Sequence, residues 1–326
     1  MEQQIQGLKS PLPLAIIIAG AIVAIALVYN NSSNRQLQKP SVDITKDSVT
    51  QDARILALEE SVIPSGGVIL PVSWDIMGQN LIKAGVIRGA DFKALYANRG
   101  AFTDEYQRLL FGTTTGKLII TRDNAGVLLN LFWALGLSQK SPILEKGEMM
   151  DPKYGGAQNF ASTGGWTLAQ GNAMDHYSYH TFFTLTADQQ ALVEKVSRGI
   201  YRPCCGNSVH FPDCNHGMAM LGLLELMASQ GVGEQDMWKT ALAVNSYWFP
   251  DTYMTIAMYM KNNGVGWKDV NLREMLGVNY SSASGYARIA SQVSTPSSST
   301  TSGSGCGVEG VQSAPAPTRQ QSGCAI

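Results

Sequence analysis

The sequence predicts a mainly α protein, an irregular helical bundle with long glycine-rich loops, one N-terminal transmembrane helix and a disordered C-terminal tail. Three observations lead to this prediction. The apolar segments of residues 52–280 are mostly helix-length runs with capping residues before them and glycines after them. Residues 12–29 form one uncharged apolar stretch, and residues 281–326 are rich in Ser, Thr, Gly and Pro.

The N-terminal apolar stretch, LPLAIIIAGAIVAIALVY at residues 12–29, has the length of a membrane span. At about 1.5 Å per residue it would form a helix of roughly 27 Å, close to the thickness of the bilayer's hydrocarbon core. It is longer than the apolar region of a cleaved signal peptide. We therefore predict a single-pass anchor between a short tail, residues 1–11, and a polar linker, residues 30–51.

Two features of the sequence give opposite predictions for the orientation of this anchor. Lys9 precedes the span, whereas Arg35, Lys39 and Lys46 follow it, and this distribution favours a cytoplasmic domain. A short N-terminal tail before a lone anchor, together with the Ser/Thr/Gly-rich C-terminal tail, favours the outside. We expect the bulk domain to be extracytoplasmic, with the membrane as one of its partners.

Residues 52–280 are predicted to form the globular helical domain. The segments that predict its helices are TDEYQRLLFG from residue 103, TRDNAGVLLNLFWALGL from residue 121 (capped by Thr121 or Asp123), TADQQALVEKVSRG from residue 186, GMAMLGLLELMASQG from residue 217, GEQDMWKTALAVNSYWF from residue 233 and PDTYMTIAMYMKNNG from residue 250. The segment from residue 217 is apolar on nearly all faces, which predicts a buried helix. Only GGVILPV and KLIIT resemble strands. Residues 281–326 are predicted to be disordered.

The overall charge excludes one broad class of partner. Lys and Arg number 24 against 25 Asp and Glu, so the formal net charge is -1 and no nucleic-acid partner is predicted.

No carboxylate pair, nucleophile elbow or phosphate-binding loop stands out, so the sequence gives no independent support for catalysis. Five cysteines are an odd number, which leaves a free thiol, an intermolecular bond or a metal ligand.

The strongest chemical signal is RPCCGNSVHFPDCNHG, residues 202–217, which holds three of the five cysteines and two of the four histidines. Thiolate and imidazole are preferred ligands of zinc and copper, and a short loop closes around one ion at little entropic cost. We predict a metal site whose ligands come from Cys204, Cys205, His210, Cys214 and His216. The spacing matches no ordinary zinc ribbon, so the prediction depends on composition.

Further residues outside this segment could contribute to the site. His176 and His180 are four residues apart and could complete the ligand set. The glycine-rich loop at residues 154–172 leads directly to them and is predicted to form a wall of the site, with an inert surface loop as the alternative. Cys306 and Cys324 lie in the C-terminal tail and suggest a mobile arm that passes metal ions or disulfide electrons to the site, or simple crosslinking.

Two other interpretations of the cysteines remain open. Cys214 precedes the predicted buried helix, whose N-terminus lowers a thiol pKa, so it could attack a disulfide of a thiol-bearing partner protein, with His210 or His216 as base. Alternatively, the cysteines only staple a structural or interaction protein through disulfide bonds. We expect metal binding or handling first, thiol–disulfide exchange second and stapling third.

Overall fold

Helices dominate the part of the chain that the structure describes, as the sequence predicts. The structure is a computed structural model that describes residues 44–100 and 102–293. The described residues fall into two compact units, with the boundary between residues 54 and 55. The predicted anchor at residues 12–29 lies outside the described residues, and among those described no helix combines the length and apolarity that a membrane crossing needs.

The described elements are short helices and one small sheet. The α-helices are, in chain order, α1 (Ile44–Val62), α2 (Met77–Lys83), α3 (Gly89–Asn98), α4 (Asp104–Phe111), α5 (Ala125–Ser138), α6 (Pro142–Lys146), α7 (Ala161–Gly164), α8 (Ala187–Gly199), α9 (Asn215–Ser229), α10 (Glu234–Trp248), α11 (Pro250–Asn262), α12 (Leu272–Leu276), α13 (Val278–Ser281) and α14 (Ala283–Ala290). Short 3-10 helices occupy Glu148–Met150, Pro152–Tyr154, Ala157–Asn159, Ala173–Asp175 and Trp267–Asp269.

The sheet consists of two antiparallel strands, β1 (Val68–Ile69) and β2 (Ile119–Ile120). Val68 pairs with Ile120, and Ile69 pairs with Ile119. These strands lie inside the two segments that predict strands, but each has only two residues. The sheet is therefore a minor part of a helical architecture.

The capping residues explain where most of the predicted helices begin. Thr103 accepts a hydrogen bond from the Tyr106 backbone N–H at the start of α4, and Thr186 forms a reciprocal capping box with Gln189 at the start of α8. For α5 the predicted cap was wrong. Asn124, which follows both predicted residues, occupies the N-cap, and its side chain accepts from the Thr121 backbone N–H instead.

Helices α5 and α9 pack against each other at the centre of the core, and they meet backbone to backbone. A Cβ on Gly222 of α9 would lie 2.5 Å from the Phe132 carbonyl oxygen and 2.6 Å from the Gly136 nitrogen of α5. Only glycine fits at such a contact. Helix α9 is buried along almost its whole length, as its apolar sequence predicts.

Ordered structure extends past both predicted domain boundaries. Helix α1 begins within the predicted linker, and α14 lies within the segment predicted to be disordered from residue 281. Tyr253 explains part of this difference, because its hydroxyl hydrogen-bonds the buried Ser281 hydroxyl at 2.6 Å. The Ala283 N–H also donates to the Cys205 carbonyl at 3.0 Å. Residues 294–326, including Cys306 and Cys324, lie outside the described residues.

Candidate metal centre

The candidate site lies where the loop of residues 202–214 enters the buried helix α9. Cys214 is the N-cap residue of α9, and its Sγ accepts a hydrogen bond from the Gly217 backbone N–H at 3.4 Å. The first turn of a helix carries backbone N–H groups without helical partners and a partial positive charge. Sulfur takes the place that Ser, Thr or Asp usually fills, so the helix itself stabilises a thiolate at Cys214.

Three thiols, an imidazole and a carboxylate gather at this helix end. The Sγ atoms of Cys204 and Cys214 are 3.4 Å apart, and Cys205 Sγ lies 3.7 Å from Asp213 Oδ1. The donor atoms form two groups, each within 4.8 Å: Cys204, Cys214 and His216, and Cys205, Asp213 and Cys214. All three thiols are free, so the stapling disulfide is not formed among them. This Cys/His cluster could hold a metal ion.

A buried arginine closes the loop around these donors. The Arg202 side chain has no exposed surface, and its guanidinium bonds Asp213 Oδ1 at 2.5 Å, the Asn207 carbonyl at 3.0 Å and the Phe211 carbonyl at 3.4 Å. Its Nε has no hydrogen-bond partner among the described residues. The guanidinium packs against the first turn of α9, where a Cβ on Gly217 would lie 2.7 Å from it.

The local electrostatics concentrate negative charge on one sulfur. Hydrogen bonds from Cys204 and Cys205, together with the positive charge of Arg202, hold the pKa of Cys214 well below its usual value. Hydrogen bonding to the two neighbouring thiols and burial raise the pKa of Cys204. Burial raises the pKa of Asp213, although Arg202 opposes the shift. Cys214 is therefore the thiol that ionises first.

His216 is the imidazole that faces the thiols. Its side chain lies among aromatic rings, with ring centroids 4.4 Å from Phe249 and 5.9 Å from Trp248. The residue is 9% exposed, and its Nδ1 is buried without a hydrogen-bond partner among the described residues. Buried polar atoms normally have partners, so the ring suits the role of a ligand.

The other three histidines lie outside both donor groups. His210 Nε2 is 2.7 Å from Glu194 Oε2 on α8, so this imidazole contacts a carboxylate instead of joining the thiols. His176 Nδ1 and His180 Nε2 lie 3.0 Å from each other and form a pair of their own. Burial and the neighbouring His176 lower the pKa of His180.

The glycine-rich loop at residues 154–172 contacts the cysteine-bearing segment. The Ser162 N–H donates to the Asp213 carbonyl at 3.1 Å, and the rings of Tyr154 and Phe160 pack on Phe211. Trp166 is buried, with its Nε1–H bonded to the Val86 carbonyl at 2.9 Å. The loop is therefore packed structure beside the site.

Sequence reasoning missed two charged residues of the site. Arg202 and Asp213 lie on either side of Cys204 and Cys205, and neither is a soft donor. Opposite charges at the two ends of a short loop without other charged residues were the available signal, because such charges are buried only when paired. The acid Glu225, alone in the apolar helix α9, was missed in the same way.

Comparison with known proteins gives no family for the chain: no family model, no curated protein and no solved structure matches it.

Proposed function

We propose that this protein binds a soft or borderline metal ion, zinc or copper, through Cys204, Cys205, Cys214 and His216. The observation that carries the proposal is the gathering of three sulfurs and one imidazole around the N-terminus of α9. A tetrahedral zinc ion with Zn–S bonds of about 2.3 Å separates two sulfurs by about 3.8 Å. The 3.4 Å between Cys204 and Cys214 differs from this by only a few tenths of an ångström.

The charges around the cluster also support an ion. Three thiolates and a divalent cation carry a net charge of about -1, while Arg202 and Asp213 neutralise each other. The unpartnered Nε–H of Arg202 is a donor available to a metal-bound thiolate. Such donors around the ligands orient them and strengthen metal binding. With the predicted anchor at residues 12–29, we extend the proposal to metal binding or handling at a membrane surface, with the domain outside the cytoplasm.

The direct test is the metal content and metal affinity of the purified full-length chain. We expect one zinc or copper ion per chain, and at least about 100-fold weaker binding after Cys214→Ser or His216→Gln, because even the loss of a residue behind the ligands costs 10- to 100-fold. Cys306→Ser is the matched control, since the proposal does not require that thiol. Equal affinity in the Cys214→Ser protein would refute the proposal.

A second candidate function is thiol–disulfide exchange, which the closeness of the Cys204 and Cys214 sulfurs favours. The Cys214 thiolate would attack a disulfide of a partner protein and release one partner thiolate. Cys204 would then resolve the mixed disulfide, leaving a Cys204–Cys214 disulfide and a reduced partner. Cys214 has no exposed surface, so a macromolecular disulfide reaches it only after the loop opens. This burial makes metal binding the first proposal.

The two candidates differ in one simple measurement. Thiol–disulfide exchange predicts that the protein isolated without reductant contains a Cys204–Cys214 disulfide. Its intact mass would then be lower than that of the reduced protein by the mass of two hydrogens, and peptide mapping would find Cys204 and Cys214 linked. A metal-loaded protein would keep its full hydrogen count after the ion is removed. We expect the second result.

A further inference from the structure

A cavity of about 520 Å³ lies between the small sheet and one face of α10. Its walls come from the end of α1, from β1 and the residues after it, and from α10, and Lys117, Trp267 and Lys268 complete the lining. This volume falls within the roughly 300–1,000 Å³ of sites that bind small organic molecules. No residue of the thiol cluster lines the cavity, so it is a separate candidate site.

Apolar side chains form most of the cavity wall. Val62, Leu70 and Leu242 are buried core residues, and Trp267 is partly buried. Ile69 of β1 also lines the cavity and is 68% exposed. Large exposed apolar side chains are typical of binding sites when they lie together at a cavity. An apolar chain that replaces water against these walls would gain free energy.

The charged residues of the lining are mostly basic. Lys117, Lys239 and Lys268 line the cavity, whereas Asp236 is the one acidic residue among the lining residues, so three positive charges against one negative charge leave +2. The Lys117 Nζ donates to the carbonyl of Pro71, another lining residue, at 3.0 Å, which holds this ammonium group at the wall. Lys239 and Lys268 are exposed and form no salt bridge within the part of the chain that the structure describes. An anionic group is therefore attracted to this cavity.

Thr240 adds an unpartnered polar group to the α10 wall. The residue lines the cavity and is only 6% exposed. Ser246, on the same face of α10, donates its hydroxyl to the Leu242 carbonyl at 2.9 Å, whereas the Thr240 hydroxyl has no hydrogen-bond partner among the described residues. Buried polar groups normally have partners. The Thr240 hydroxyl is thus a donor available to the polar head of a ligand.

We propose that this cavity binds a free fatty acid of medium or long chain. Such a ligand has one apolar chain for the walls around Leu70 and Leu242 and one carboxylate for the lysines and the Thr240 hydroxyl. Apolar walls with a few polar groups that fix the orientation are the usual composition of a small-molecule site. The proposal goes beyond the proposed metal binding, because none of the thiol-cluster residues takes part in it.

The test is photo-crosslinking of the full-length chain, held in phosphatidylcholine nanodiscs, with dodecanoate that carries a diazirine in its chain. We expect saturable labelling of peptides that line the cavity. Half-saturation should need about 2- to 5-fold more probe in Lys239→Gln and correspondingly less in Asp236→Asn, because a single exposed charge has an effect of this size. The matched control is Lys261→Gln, an exposed lysine of α11 that does not line the cavity and should change nothing.

Competition on the unmodified chain covers the case in which a variant fails to fold. Unlabelled dodecanoate should displace the probe, whereas dodecyltrimethylammonium, with the same chain and the opposite charge, should need at least about 10-fold more. Acetate, which carries the head alone, should not compete at the same concentration.

Three outcomes would overturn the fatty-acid site. The first is equal half-saturation in the Lys239→Gln, Asp236→Asn and unmodified proteins, and the second is equal competition by the anionic and cationic amphiphiles. The third is labelling that maps only to peptides outside the cavity, such as the predicted anchor at residues 12–29. Displacement of the probe by phosphatidylglycerol in the nanodisc at lower concentration than by dodecanoate would assign the site to a membrane lipid and equally refute the proposal.

Discussion

Replacement of Glu225 by glutamine should remove a pH-dependent loss of stability that this protein carries. Glu225 lies on the buried helix α9, is 1% exposed, and its Oε2 has no hydrogen-bond partner among the described residues. Burial raises the pKa of Glu225 from its ordinary 4.5 to about 8, although the Ser141 hydroxyl opposes the shift. Glutamine has nearly the same shape and cannot ionise.

The size of the effect follows from these two pKa values. Between pH 4.5 and pH 8 the folded protein keeps the proton on Glu225 and the unfolded chain loses it. Stability therefore falls as pH rises through this window, by about 1.4 kcal/mol for each pH unit. Below pH 4.5 both states are protonated and the penalty vanishes. From pH 5 to pH 7 the loss is about 2 to 3 kcal/mol.

The assay is urea unfolding of the wild-type chain and of Glu225→Gln at pH 5, 6 and 7. The free energy of unfolding of the variant, relative to the wild type, should rise by about 2 to 3 kcal/mol between pH 5 and pH 7. Comparing the same two proteins across pH cancels the constant difference between a neutral acid and an amide. The exposed Glu148 provides the control, since Glu148→Gln should leave the pH dependence unchanged. Parallel pH profiles for wild type and Glu225→Gln would refute the reasoning.

Two glycine substitutions test the packing around α9. Gly222→Ala should lower the free energy of unfolding by about 1–3 kcal/mol or more, because its Cβ would meet the backbone of α5. Gly126→Ala, on the open face of α5, should raise the free energy of unfolding by about 0.5–1 kcal/mol. Urea unfolding midpoints measure both effects, and equal midpoints would contradict the backbone contact. Gly217→Ala should displace the buried Arg202 and weaken metal binding, because the added Cβ would collide with the guanidinium. Gly206→Ala, whose Cβ would meet nothing, should leave the metal affinity unchanged. Metal competition titrations measure both affinities, and equal affinities in the two variants would contradict the prediction.

The helical part of the fold could be predicted because its signals are local. Thr103 and Thr186 are capping residues whose bonds reach only three residues along the chain. The end of the domain could not be predicted in this way. Ser281 and Ala283 belong to a Ser-rich segment, and their order depends on bonds to Tyr253 and Cys205, which are distant in sequence.

The sequence predicts which segment carries the candidate site, but not which of its residues converge on one point. Cys204, Cys214 and His216 come together because the helix start places Cys214 and His216 on one turn. His210 lies in the same loop, yet it turns to Glu194, because a carboxylate on α8 is within reach. Sequence spacing contains no information about which neighbouring helix supplies a competing partner.

The Arg202 side chain bonds one carboxylate and two carbonyls of its own loop, and so it ties residues 202–213 together without any ion. A receptor that is preorganised in this way loses little conformational entropy on association. Such a loop would also hold its donor atoms at nearly fixed separations, so it would favour ions whose radius and preferred geometry fit those separations.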